Sequence, residues 1–351
     1  MARLITVSIF SGCGGADLGA TRAGVEIVFA TDISPNAMQT YRKYQTLLAA
    51  HSVELRVGDI SLVRAVPPGD LLIGCYPCQS YSMGGPRQPE RHVKAGLFRE
   101  YLRCLNQMAP KFFVVENVPG MAWLKGGQYL REQVQAFAEA GLGYFVSSQM
   151  LDAKDYGVPQ SRKRVLIVGV RKDLGLKYHF PKPTHGPGAD SGLPYVSHGD
   201  TLASIPVDRG DPYYEAGSKP FSWWYMSRNR KRKWEDPSFT ISGNWRHVPL
   251  HPSSPTMTLV ESNLSNGSKQ RWEFTTNYDH LDGHTDRPTL PLPRRLTWRE
   301  CAAIQGFPRD FEPEGSPTSK HLQIGNAVPP LLMQAVVEGI TTGNALSIVS
   351  E

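Results

Sequence analysis

Between residues 4 and 170 the chain alternates short β-branched or aromatic runs with stretches of helical period. LITVSIF (4–10), EIVFAT (26–31), VELRV (53–57), DLLIG (70–74), FFVV (112–115), YFVSSQM (144–150) and RVLIVGV (164–170) predict strands. Most lack a clean polar–apolar alternation, and a continuous apolar run implies a strand buried on both faces, as in a parallel sheet. Ser34-Pro35 supplies a capping residue and a first-turn proline for a helix over NAMQTYRKYQTLLAA (36–50). REYLRCLNQMA (99–109) and GQYLREQVQAFAEAG (127–141) predict two more, the second closed by a glycine. Strands alternating with helices predict an α/β, doubly wound fold.

After about residue 178 the pattern breaks into Pro, Gly, Ser and aromatic residues, and five of the seven tryptophans fall between His179 and His284. This predicts a loop-rich, strand-poor region over 179–291, inserted into a larger domain of residues 1–178 plus 292–351. Helical period returns with TWRECAAIQGF (297–307) and PLLMQAVVEGI (330–340). The C-terminal helix is expected to complete the sheet or the outer layer of the larger domain. No internal repeat is visible.

Composition narrows the class. With 351 residues the chain buries a core without staples, and five cysteines, an odd number, with no charged-then-apolar leader, fit a reducing compartment. The cytoplasm is the expected location. No apolar run approaches the roughly 18 to 20 residues needed to span a bilayer. The net charge of +6 suits a polyanionic partner but is weak evidence alone. Within 179–291, twelve Lys and Arg are balanced by twelve Asp and Glu, so any basic contact there is local. Arg228, Arg230, Lys231, Arg232 and Lys233 form one run bracketed by Trp223, Trp224, Tyr225 and Trp234. Such a run can meet phosphates while rings stack on bases, or can be a solvated loop anchored by tryptophans.

The first strand leads into Phe10-Ser11-Gly12-Cys13-Gly14-Gly15-Ala16-Asp17-Leu18-Gly19. Glycines between a strand and a helix let main-chain N–H groups approach a ligand, whose negative end the helix start favours. Asp32 closes the second strand and Asp59 follows the third, where a carboxylate can take ribose hydroxyls. This order of elements points to an adenosine-containing cofactor without choosing between a dinucleotide and S-adenosylmethionine. The fourth strand runs into GCYPCQSYS (74–82). Cys75 and Cys78 have dithiol spacing, but loop rather than helix follows them, so no helix start activates a thiol. Zinc would need a second ligand pair; Cys13, Cys104 and Cys301 are isolated, and His247/His251 and His280/His284 lie in the Trp-rich region.

Six segments in order then resemble the DNA cytosine-5 methyltransferases. These are the glycine loop from Phe10, Pro77-Cys78-Gln79, Glu116-Asn117-Val118, Gln160-Ser161-Arg162-Lys163-Arg164, Arg295-Leu296-Thr297 through Gln305-Gly306-Phe307-Pro308, and Gly325-Asn326-Ala327-Val328-Pro329. The resemblance implies a Rossmann-like, S-adenosylmethionine-dependent sheet with a smaller target-recognition domain. It implies methyl transfer to C5 of a cytosine flipped out of duplex DNA, through a covalent adduct. It makes Cys78 the nucleophile, Glu116 the acid at N3, and Arg162 and Arg164 contacts to the base carbonyl and phosphate. Phe10, Ser11, Gly12, Gly14, Gly15, Leu18, Asp32, Ile33, Asp59, Ile60, Pro77, Asn326 and Ala327 become the cofactor residues. Gln79, Ser82, Asn117, Gln160, Arg228, Arg230 and Arg232 become the DNA-contacting set. No metal is implied. Residues 80–99 are expected to close over the base.

Two positions depart from the family pattern. His92-Val93-Lys94-Ala95-Gly96 replaces the frequent Asp-x-Arg-Gly, and Tyr76 stands where Pro-Pro-Cys has its first proline. A monomer, with any restriction endonuclease acting separately, fits the resemblance. Methylation of tRNA by a related branch is the nearest rival, which the length of 179–291 disfavours. A catalytically silent DNA-binding relative is another, which the intact Cys78, Glu116, Arg162 and Arg164 disfavour.

Overall fold

The computed structural model describes residues 3–49, 52–76, 96–206, 221–262, 270–278, 289–290 and 292–349. The seven predicted strands are β1 (Ile5–Ile9), β2 (Glu26–Asp32), β3 (Glu54–Val57), β4 (Leu71–Gly74), β5 (Phe112–Asn117), β6 (Tyr144–Asp152) and β7 (Lys163–Arg171). They form one sheet in the order β3-β2-β1-β4-β5-β7-β6. β1 to β5 run parallel, whereas β7 is antiparallel to both β5 and β6. The expectation of parallel strands thus fails at β7. Its run is as apolar as the others because both its faces are buried, and burial, not direction, sets that pattern.

Alternate residues of the central strands go to opposite layers. Leu71, Ile73, Val114, Leu166 and Val168 join a cluster with Leu18, Leu332 and Val336, while Leu72, Phe113, Val115 and Ile167 join Tyr101, Leu105 and Phe137. The helices are α1 (Gly15–Arg22), α2 (Pro35–Lys43), α3 (Gln45–Ala49), α4 (Leu97–Met108), α5 (Gly120–Trp123), α6 (Gln128–Ala138), α7 (His198–Leu202), α8 (Trp298–Gln305), α9 (Pro317–Asn326) and α10 (Pro330–Thr341). α10 lies on α1 in the outer layer: a Cβ on Gly15 would collide with the Val328 carbonyl, and one on Gly19 with that of Pro330. Among the described residues no helix is long and apolar enough to cross a membrane.

Three helical expectations change. The helix over 36–50 breaks at Tyr44, whose hydroxyl donates to the Asp310 carbonyl (2.8 Å) and accepts from Glu312 N (2.7 Å) while its ring packs on Phe311. α4 begins at Leu97, so the end of the expected 80–99 loop is helical; residues 77–95 lie outside the described set. α9 was not expected, although Ser316-Pro317 repeats the cap-and-proline signal of Ser34-Pro35.

The described part of 179–291 is mostly loop. β8 (Leu176–Tyr178) leads into it, β9 (Met257–Ser262) and β10 (Gln270–Phe274) form an antiparallel ribbon, and β11 (Leu346–Ile348) returns to pair with β8. Trp234, Ile241 and Val248 from this region share a core with Leu296, Trp298 and Phe307. Beside it Glu300 is buried, bonded by both Nη atoms of Arg294 (2.8 Å each) and by Thr297 N (2.7 Å). His251 Nε2 lies 3.4 Å from Glu300, and its Nδ1 accepts from Ser253 N (3.0 Å), which fixes the neutral Nε2–H tautomer. Burial pushes His251 down to about 3, opposed by the Glu300 charge.

The folded-state pKa of His251 is therefore depressed below its unfolded value near 6.5. Its contribution to stability is present above pH 6.5 and is lost as pH falls from there towards 3, because the unfolded chain takes up a proton that the folded one refuses. In urea unfolding between pH 7.5 and 5, His251→Asn should remove about one proton's worth of slope, about 1.4 kcal/mol per pH unit below the unfolded pKa. An unchanged slope would contradict this placement.

Candidate active site

The glycine loop is built by a strand that ends in tight turns. Phe10 and Gly12 have positive φ (57° and 56°), and Gly14 at 88° opens α1. Ser11 N donates to the Thr31 carbonyl, and Ser11 Oγ to the Ser8 carbonyl (3.2 Å) and Oγ (3.0 Å), tying the loop to β2 and β1. Below it Asp17 is fully buried, accepting from Ser8 Oγ (2.6 Å) and the Tyr41 hydroxyl (2.7 Å). Burial raises Asp17 to about 6 against those two hydrogen bonds. Sequence reasoning missed this network; an acid among the small and apolar residues of the first turns of α1 was its signal.

The loop's glycines have different jobs. A Cβ on Gly12 would meet nothing, so that face is open; on Gly14 it would collide with Leu48, and on Gly15 with Val328. Leu18 is core. The side-chain faces of Gly14, Gly15 and Leu18 therefore serve packing, and the expectation that they meet a cofactor is corrected for those faces. Gly12 N donates to Asp32 Oδ2 (2.9 Å) and Ser34 N to Oδ1 (2.8 Å), so Asp32 splints loop to strand end; burial raises its pKa. Ile33 beside it is 67% exposed. Asp59 is exposed, and its bond from Ser61 N (2.9 Å) lowers its pKa, while Ile60 packs into the core.

Two strands across the sheet, the ends of β4, β5 and β7 meet. Glu116 and Arg164 are buried and joined, Oε1 to Nε, at 2.7 Å. Burial lowers the pKa of Arg164, and the charge of Glu116 opposes that. Asn117 Nδ2 donates to the Tyr76 carbonyl (3.4 Å) while its Oδ1 accepts from Val118 N (2.8 Å), so both ends of that amide are used by main chain. Cys75 packs against the core, its thiol pushed well up by burial and then by the charge of Glu116. That environment suits a thiol that stays protonated. Pro77, Cys78, Gln79 and Ser82 lie outside the described residues.

Several expected substrate groups point inward. Arg162 is buried and donates to the carbonyls of Ile241 (3.0 Å), Gly325 (2.8 Å) and Ala327 (3.1 Å). Gln160 accepts from Ile241 N (2.8 Å) and donates to Gln305 (2.6 Å), which in turn donates to the Ala327 carbonyl (2.5 Å). Arg162 and Gln160 are thus bonded to Ile241, Gly325, Ala327 and Gln305 in this structure, and the buried Nε of Arg162 has no hydrogen-bond partner among the described residues. Asn326, at the end of α9, is exposed, whereas Ala327 is buried. In the basic run, Arg230 bonds the Tyr225 carbonyl and stacks on that ring, and Arg232 stacks on Phe239 at 4.1 Å. Lys231 is buried, leaving Arg228 and Lys233 exposed. Arg230 and Arg232 are both half-buried, each with its guanidinium over a ring of the same region.

A family model for the C-5 cytosine-specific DNA methylases matches residues 4–342. The chain belongs to that family. It is thus a DNA (cytosine-5-)-methyltransferase, and its family uses S-adenosylmethionine. The type II methyltransferase M.BspRI of Lysinibacillus sphaericus is 36% identical over 375 residues, covering 95% of this chain and 80% of its own. M.FnuDI of Fusobacterium nucleatum is 35% identical over 349 residues, covering 95% and 93%. The fold matches the crystal structure of the S. pombe Dnmt2 methyltransferase, with a TM-score of 0.61, 17% identity, and coverage of 97% of this chain and 98% of that one.

In this methyltransferase the guanidinium of Arg162 spans three carbonyls that lysine cannot reach together. Arg162→Lys should leave buried carbonyls unpaired and lower the unfolding free energy by about 2 kcal/mol or more, read by urea denaturation. A loss under about 0.5 kcal/mol would show that the three bonds carry little.

Proposed function

We propose that the enzyme methylates C5 of one cytosine within a specific sequence of double-stranded DNA, through a covalent bond between Cys78 and C6 of a base flipped out of the helix. The observation that carries this reading is the buried Glu116–Arg164 pair at 2.7 Å, set on the strand next to the one that leads to Cys78. C5 of cytosine is too electron-poor to attack a methyl donor until a thiolate adds to C6 and makes an enamine. Cys78 adds as the thiolate; Glu116, protonated on the oxygen that Arg164 leaves free, donates to N3 as negative charge develops on the ring; Arg164 orients Glu116 and reaches toward the base carbonyl. After C5 has been methylated, its proton leaves to a base and the Cys78–C6 bond breaks, returning the thiolate. The target cannot expose C6 while stacked, so it is extruded at a cost of a few kcal/mol, offset by contacts that close around it.

The residues present fit S-adenosylmethionine. Gly12 opens onto free space, no side chain caps α1, Asp32 keeps lone pairs beside its two main-chain bonds, and Ile33 offers an exposed apolar face. The α1 start suits the donor's carboxylate, Asp32 the ribose, and Ile33 the adenine. The donor supplies an electrophilic methyl on its sulfonium and leaves as S-adenosylhomocysteine.

Residues 179–291 form the target-recognition domain in this reading, and 1–178 with 292–351 the catalytic one. Arg228 and Lys233 supply backbone charge around base-reading side chains. The enzyme works as a monomer in the cytoplasm, at the nucleoid when acting, and any cognate restriction endonuclease acts separately.

Long duplex DNA of mixed sequence, made with 5-fluorocytosine at every cytosine, presents short target sequences of every kind and cannot lose a C5 proton. With the donor present it should form an adduct stable to denaturation. Cys78→Ala should abolish the adduct and Cys75→Ser should spare it; competent DNA binding with no adduct in the unaltered enzyme would overturn the mechanism.

A further inference from the structure

Tyr76 stands two residues before Cys78, where the family pattern has proline, and its side chain is built into the protein rather than left at the surface. It is 4% exposed, and its hydroxyl donates to Oε1 of Gln133 on α6 at 2.5 Å, Gln133 being itself buried. Its ring lies edge-on to Phe10 of the glycine loop (6.1 Å, 74°) and against Tyr101 (5.7 Å) and Phe98 (6.4 Å) of α4. Its carbonyl accepts from Asn117, the neighbour of Glu116. One residue therefore touches the glycine loop, the strand end that bears the acid, and two outer helices.

We propose that Tyr76 is a positioning residue for Cys78, and that its hydrogen bond to Gln133 sets the direction in which the chain leaves β4. This rests on the reading of Cys78 as nucleophile. A proline would fix its own φ but could anchor to nothing. The phenol instead ties the backbone to α6 across the layer. Cys78 follows Tyr76 by two residues, so about 7 Å of chain at most separates the anchored position from the nucleophile. Errors of about 1 Å in the approach of a reacting atom can cost about 100-fold in rate.

Tyr76→Phe keeps the ring and removes only the hydrogen bond. Because that leaves Gln133 buried and unpaired, the variant Tyr76→Phe/Gln133→Leu, which removes both polar partners, is the one that separates positioning from folding. With the fluorinated duplex, the double variant should unfold within about 3 °C of the natural enzyme and bind S-adenosylhomocysteine within twofold. It should form the adduct about 10 to 100-fold more slowly in a single turnover. Gln133→Leu alone should be slowed as much, and the two changes should not add.

Adduct formation by the double variant at the natural rate would overturn the proposal. So would a slow rate matched by an equal loss of cofactor binding, which marks general damage. If the unaltered enzyme itself forms no adduct, the covalent mechanism fails instead, so the two failures are told apart.

Discussion

A single buried guanidinium, that of Arg162, lies where the start of β7, the loop at Ile241 and the end of α9 meet. Taking a cation out of water is costly unless its donors are used, and here both Nη atoms reach carbonyls from segments 79 to 165 residues away in sequence. Gln160 and Gln305 extend the same network, so the carbonyl of Ala327 receives two donors at once. Segments far apart in the chain are thereby held against one another by polar bonds inside an apolar core. Two residues further on, Arg164 bonds the Glu116 carboxylate as well as the Lys163 carbonyl. In the proposed mechanism Arg164 serves the chemistry, while Arg162, two residues earlier, ties distant segments together.

Much of this was legible in the sequence because it is local. Strand positions follow from runs of four to seven residues, the glycine loop from a strand running into glycines, and Asp32 from its place at a strand end. The motif residues were found by type and order. Their roles were harder to read: Gln160, Arg162, Arg230 and Arg232 look like substrate contacts on paper because polar side chains are usually solvated. Their partners are carbonyls and rings brought up by other elements, and such pairings leave no trace in spacing. The break at Tyr44 is of the same kind, fixed by groups near residue 311. α9 is different, since its Ser-Pro start was visible and Gly325 inside the helix disguised it.

The dithiol spacing of Cys75 and Cys78 is weakened by the environment of Cys75. Cys75 packs on the core beside a carboxylate, which disfavours its thiolate, and the residue between it and the motif proline is an aromatic anchor, not a spacer. A dithiol site would want both sulfurs accessible at a helix start. The polar bonds around Tyr76, Asn117 and Glu116 instead join two neighbouring strand ends, as a one-thiol mechanism with an acid opposite it requires.

Methylation of cytosine in duplex DNA has one near rival, methylation of tRNA by an enzyme with the same catalytic motifs. Transfer of a tritiated methyl group from S-adenosylmethionine, measured side by side on unmethylated duplex DNA and on total tRNA, separates the two. Label is expected in 5-methylcytosine of the duplex with background counts in tRNA; label in tRNA with none in DNA would overturn duplex methylation.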